Sequence, residues 1–307
     1  MGLLPDIAQC LFSGLALGSI FAIVAVGFTI IFSSTEVVNF AQGEFVMLGA
    51  MLSYCLVSEP LKLPLLLAVP LAVAIALVVG MGLGWVLMRP LKKASPVSLI
   101  IITVGASMLL QGIASHLWGI DQVSLPEFTP HDPINLTLPF WMTHNHDAYP
   151  VTIQVQELWV MGLAALMVIG LTLFFRFTMM GKAMRAVAAN RHGARLVGVN
   201  VSRLVMGAFA LSAAMGAIAG AAVAPITSGQ YSMGTMMGLK GFAAAIVGGL
   251  GSFPGSIIAG LFLGVLETFG ARFLSSDYKD AFAFIILLVV LFVSPNGIPA
   301  LLRRKAN

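Results

Sequence analysis

The sequence predicts an all-α protein: a polytopic transmembrane helix bundle of about eight spans plus a half-helix, with the N-terminus outside and the C-terminus cytoplasmic. Three observations predict it. Of the 307 residues, 59% are apolar and only 9% charged, against roughly 25% charged in a soluble domain that must cover its surface with solvated groups. The apolar residues gather into runs of the length that crosses a bilayer, about 20 residues for roughly 30 Å of hydrocarbon. The basic residues fall in a few segments between those runs, the pattern of cytoplasmic anchoring.

The spans are predicted at about 7–32, 37–57, 64–88, 97–117, 157–175, 204–226, 254–272 and 281–301. They form a single membrane domain over 1–307. The N-terminus has no basic n-region, so the first run is expected to stay in the membrane. Arg89, Lys92 and Lys93 mark one cytoplasmic loop, and Arg303, Arg304 and Lys305 a cytoplasmic tail. The segment 176–203, with Arg176, Lys182, Arg185, Arg191, Arg195 and Arg203, is the largest cytoplasmic loop. The segment 118–156 has no Lys or Arg but carries Asp121, Glu127, Asp132 and Asp147, and is predicted to be extracytoplasmic.

Parity adds an element. The 204–226 span ends outside and the last span must start outside, so the chain between them goes in and comes back out. The short apolar piece 239–249 is therefore predicted to descend as a half-helix, and 254–272 to climb back. Gly248, Gly249, Gly251, Pro254 and Gly255 form the reversal turn, since glycine permits unusual backbone angles and proline suits a helix start. The turn is either a broken-helix substrate route or a plain tight turn near the cytoplasmic face. Gly14 and Gly18, Gly80 and Gly84, Gly216 and Gly220, and Gly260 and Gly264 each form a small-xxx-small pair, which lets helix backbones approach closely in lipid.

Polar residues in hydrocarbon are costly and each calls for a role. Asn39, Gln42 and Glu44 cluster at the start of the second span; they line a path, lock helices together, or place a carboxylate at a favourable helix start. Thr103, Ser107 and Gln111 recur every four residues and share one helix face, which suits a path or inter-helix hydrogen bonds. Lys240 either snorkels to the outer interface or meets an anionic substrate group, and Glu267 either faces the path or, as is expected, pairs with Arg272. His131, Asp132, His144, His146 and Asp147 are read as a solvated loop in preference to a zinc site, and Asn135-Leu136-Thr137 fits a sequon. No metal and no nucleic-acid binding is expected. Cys10 and Cys55 define no disulfide framework. No Gly-x-x-x-x-Gly-Lys-[Ser/Thr], His-Glu-x-x-His or Gly-x-Ser-x-Gly is present. No catalytic residue is therefore assigned, and ATP is not expected to bind this chain.

The run from Met180-Gly181-Lys182-Ala183-Met184-Arg185 through Ala188-Ala189-Asn190 to Gly198-Val199-Asn200 is basic and predicted helical. It resembles the EAA-type loop of ABC importer permeases, although the Glu of that pattern is absent and Ala188-Ala189-Asn190 stand there. The resemblance extends over nearly the whole chain to the branched-chain amino acid ABC permeases, of the LivH type. Asn39-Phe40-Ala41-Gln42-Gly43-Glu44 is similar to that family's early signature, where His commonly stands at Gln42. The run Met237 to Gly255 resembles its most characteristic stretch, and Asp277-Tyr278-Lys279-Asp280 and Pro295-Asn296-Gly297 match in kind and order. The resemblance implies a homologous partner permease, two cytoplasmic ATPases that would bind the ATP, an extracytoplasmic binding protein, and a bacterial inner-membrane location. It also implies a docking helix at about 184–199, with Arg185, Ala188, Ala189, Asn190 and Gly198 in the docking loop. Leucine, isoleucine and valine are the implied cargo; relatives that handle urea, short amides or aromatic acids, and a secondary transporter or channel, are the alternatives.

Overall fold

The computed structural model describes residues 3–88, 95–129, 132–136, 151–273 and 279–293. Arg89, Lys92, Lys93, His131, Thr137, His144, His146, Asp147, Asp277, Tyr278, Pro295, Asn296, Gly297 and the basic tail lie outside the described residues.

Among the described residues six helices are long and apolar enough to cross a membrane: α1 (Leu3–Thr35), α3 (Leu65–Met88), α4 (Pro96–Trp118), α5 (Val155–Phe177), α8 (Val201–Thr227) and α10 (Phe253–Phe273). Three shorter apolar helices join them: α2 (Gln42–Val57), α9 (Met233–Val247) and α11 (Lys279–Val293). Two more, α6 (Met179–Ala189) and α7 (Arg191–Leu196), sit together at one end of the bundle. The expected all-α class holds apart from one small feature between α4 and α5. There β1 (Ile134–Leu136) and β2 (Val151–Ile153) pair antiparallel, with Asn135 opposite Thr152.

Helix α1 is the core. Its residues from Ile20 to Val26, with Phe28, Ile30 and Ile31, are almost wholly buried among α5, α8, α9 and α10. The four small-xxx-small pairs explain how such close packing is reached. Gly14 and Gly18 of α1 face Gly264 and Gly260 of α10, so the two helices run antiparallel with their backbones in contact. Gly216 and Gly220 of α8 lie on Phe45 and Val46 of α2, while Gly80 and Gly84 of α3 lie on Phe209 of α8. A methyl group built at Gly14, Gly18, Gly220, Gly260 or Gly264 would overlap its neighbour's backbone. Gly82, Gly105, Gly112, Gly162 and Gly170 belong to none of these pairs and meet no such obstacle.

The structure corrects three expectations. The second span does not begin at 37. Helix α1 runs on to Thr35, and Glu36 at φ 60° starts a return segment that brings α2 back into the bundle. Gln42, the first residue of α2, packs against Gly27, eight residues before the end of α1 and so about 12 Å inside it. Irregular backbone at that depth is tolerated because protein covers it.

The descending piece is longer than 239–249: α9 starts at Met233, about four turns before the reversal. The chain reverses between α9 and α10. Gly249 and Gly251 adopt φ 80° and 94°, conformations open to glycine at little cost. Gly248 and Gly255 stand backbone to backbone, and the Ser252 hydroxyl accepts from Gly255 N at 3.3 Å to start α10. The Phe253 ring lies 4.8 Å from that of Phe175. The turn therefore sits at the end of the bundle that carries α6 and α7.

Lastly, the single docking helix expected at 184–199 is two helices. Thr178 caps α6 by accepting from Gly181 N, Asn190 caps α7 by accepting from Gly193 N, and Asn200 caps α8 by accepting from Arg203 N. Each polar side chain satisfies a helix-start N–H that would otherwise lack a partner.

Candidate functional site: a buried polar seam

Glu44, Thr103, Ser107 and Gln111 meet in a seam between α2, α4 and α9 with Asn39 at its base, while Gln42 turns to α1 and α8. Asn39 builds its floor: its Oδ1 accepts from Ala41 N at 3.1 Å and its carbonyl from Gln42 N, turning the chain into α2. The Gln42 side chain, fully buried, reaches across to α8, where the Ser212 hydroxyl lies 2.5 Å from its Oε1 and 2.9 Å from the carbonyl of Gly27. Three helices are thus tied at one buried point.

Glu44, two residues past Gln42 and so on the other side of α2, is also fully buried. Its Oε1 accepts from Ser107 Oγ and from Gln111 Nε2, both at 2.8 Å. Gln111 Nε2 also donates to Thr235 of α9. Below them Thr103 Oγ1 accepts from Phe40 N at 3.2 Å. The four-residue spacing on α4 therefore produces a ladder of hydrogen bonds to the start of α2. Two dipoles favour the carboxylate. Glu44 lies in the first turn of α2 and abuts Gly234 in the first turn of α9, so the positive ends of both helices face it. Glu44 Oε2 and Asn39 Nδ2 have no hydrogen-bond partner among the described residues. Thr235, at the rim, is exposed.

Lys240 does not join this seam. It neither snorkels outward nor stands alone: its Nζ lies 2.6 Å from Glu267 Oε1 and 2.6 Å from Asp280 Oδ1, with the Phe21 ring 5.4 Å away. The expected Glu267–Arg272 pair is replaced, because Arg272 bonds Asp6 at 2.7 Å and so ties α10 to the start of α1. The ion cluster lines a cavity of about 410 Å³ whose wall is mostly aliphatic and includes Glu157.

Three residues of these clusters escape sequence reasoning: Ser212, Thr235 and Asp280. Ser212 is a hydroxyl within an Ala- and Gly-rich span, a signal that could have found it. Thr235 precedes the predicted half-helix, and Asp280 stands out only within a motif.

At the α6–α7 end the buried side of α6 is Gly181, Met184 and Val187. Gly181 packs on the backbone of Phe174 and Phe175, and Met180 reaches Gly207 of α8. Arg185, Ala188, Ala189 and Asn190 are exposed, as are Leu196 and Val197 on α7. Gly198 adopts φ 85° in the link to α8. Burial lowers the proton affinity of Arg191 on α7, and the neighbouring Arg195 lowers it further, while Glu36 opposes both.

Residues 10–291 match the family described as branched-chain amino acid transport system / permease component. The chain belongs to that family. Within it, the chain is 32% identical over 303 residues to the high-affinity branched-chain amino acid transport system permease protein LivH of Salmonella typhimurium, covering 94% of each chain. It is 29% identical to the corresponding permease protein BraD of Pseudomonas aeruginosa, again over 94% of both chains. A probable LivH of Methanocaldococcus jannaschii is 25% identical over 91% of this chain and 88% of its own. The permease family assignment covers the return segment, the seam, both short helices of the α6–α7 end and the reversal turn.

Proposed function

We propose that this chain is the permease subunit of an ABC importer and forms half of the translocation path for branched-chain amino acids. The observation that carries the reading is the family match over 10–291, together with relatives of the same name, nearly full length on both sides. It forms the path with a homologous second permease, receives cargo from an extracytoplasmic binding protein, and is driven by two cytoplasmic ATPases that bind the ATP. Its place is the bacterial inner membrane, with the N-terminus outside and the C-terminus cytoplasmic. Charge supports that orientation: Lys182, Arg185, Arg191, Arg195 and Arg203 crowd the α6–α7 end, while Asp121 and Glu127 lie in the segment after α4.

The ATPases dock on the exposed face of α6 and α7 and at the Gly198 link. That face is apolar and basic at once, rests on α5 and α8, and so passes a push directly to the spans. The seam of Asn39, Glu44, Thr103, Ser107 and Gln111 borders the path, with Gln42 turned to α1 and α8. It offers an amino acid passing Thr235 a carboxylate for its ammonium group within mostly apolar walls. Tagged chain purified gently from native membranes, with mass spectrometry of the proteins that accompany it, tests the assembly. A second permease and two Walker-motif ATPases are the expected companions. Ion-driven flux of amino acid by the isolated chain in liposomes would overturn the reading.

A further inference from the structure

A second cavity, of about 430 Å³, opens between α1, α5, α10 and α6 at the end of the bundle that carries α6 and α7. Its wall is apolar: Val26, Val168, Leu171, Phe175 and Ile257, with Pro254 of the reversal turn. Arg176 at the end of α5 and Arg185 of α6 also line it, and no Asp or Glu does. Both arginines are exposed, and neither forms an ion pair with a described residue. Two such guanidinium groups beside an aliphatic cleft, at the level where spans meet the membrane surface, complement an anion that carries hydrocarbon. A soluble anion would use the arginines and leave the cleft unused.

We propose that this cleft binds an anionic phospholipid, with its phosphate on Arg176 and Arg185 and an acyl chain against Val168, Phe175 and Ile257. The site does not depend on the cargo, but its consequence for coupling rests on the transport reading. Its position gives it a consequence. The lipid bridges α5, the first helix of the ATPase-docking pair and the reversal turn, the three elements that must move together when the ATPases push.

Native mass spectrometry of the purified complex, titrated with phosphatidylglycerol and with phosphatidylcholine of the same chains, tests the site. Phosphatidylglycerol is expected to bind in preference. Arg176→Gln with Arg185→Gln should lower its occupancy roughly ten-fold or more, given about 1 kcal/mol for each basic residue at an anionic membrane surface. Arg203→Gln removes a charge from the same end but outside the cleft, and should leave occupancy unchanged. Ile257→Trp fills the cleft with the charges intact and should also displace the lipid. Equal binding of the two lipids, or loss in Arg203→Gln as large as in the double variant, would overturn the proposal. So would competition by inorganic phosphate as effective as that by lipid, because the acyl cleft would then contribute nothing.

Discussion

At the scale of single residues, two buried ionisable side chains are held in different ways, and substitution separates them. Among the described residues Glu44 has no counter-ion in contact; it relies on Ser107, Gln111 and two helix starts. Glu44→Leu leaves those half-buried donors without this acceptor and should cost about 1 kcal/mol of stability. Glu44→Gln keeps an acceptor oxygen and should cost clearly less, read by thermal unfolding in detergent. Equal losses in the two variants would contradict the hydrogen-bonded role. Lys240 is held by charge. Lys240→Met leaves Glu267 and Asp280 facing each other without it, a loss expected at about 3 kcal/mol. Adding Glu267→Gln and Asp280→Asn should recover most of that stability. If the triple variant is no more stable than the single one, the cluster is not an electrostatic lock. The sequence makes Glu44 and the Thr103, Ser107, Gln111 stripe visible, because polar groups at helical spacing stand out in apolar runs. It cannot show which acid Lys240 takes. Asp280 and Glu267 are far from Lys240 along the chain, and only the fold of α9 to α11 brings the three together.

Among the helices, glycine decides which faces meet. Gly49 lies on the backbone of Ala217, and Gly220 on that of Val46. Gly49→Leu and Gly220→Leu are therefore expected to separate α2 from α8 and prevent accumulation of folded protein in the membrane. Gly112→Leu, at a position with nothing nearby, should be tolerated. Fluorescence-detected size exclusion of the variants compares them, and a Gly112 variant as damaging as the other two would contradict the packing scheme. The six long helices among the described residues are legible to within a few residues because length and hydropathy are properties of the chain alone. The return segment at 36–41 is not, because Val37, Val38 and Phe40 read as the start of an apolar span while the backbone there is not helical and doubles back. The break at Asn190 is hidden for a related reason: the run 184–199 suits a helix throughout, and only the Asn190 side chain, which caps α7, divides the run into two.

For the whole molecule, the α6–α7 end and the reversal turn form one continuous surface that meets the core helices α1, α5 and α8. Gly198 joins that surface to α8 at φ 85°. Gly198→Val has room for its side chain but not the backbone conformation, a strain of about 1–3 kcal/mol. The variant should insert in the membrane yet fail to retain the ATPases on purification; full retention would contradict the placement of the docking surface. In the proposed transport cycle these parts act together, with this chain contributing half of the path. The most direct test of that account is uptake by liposomes holding this chain, its partner permease and the two ATPases, supplied with the binding protein. The account predicts ATP-dependent accumulation of leucine, isoleucine or valine that disappears when this chain is omitted. Accumulation that proceeds without ATP hydrolysis, or that is unchanged without this chain, would contradict it.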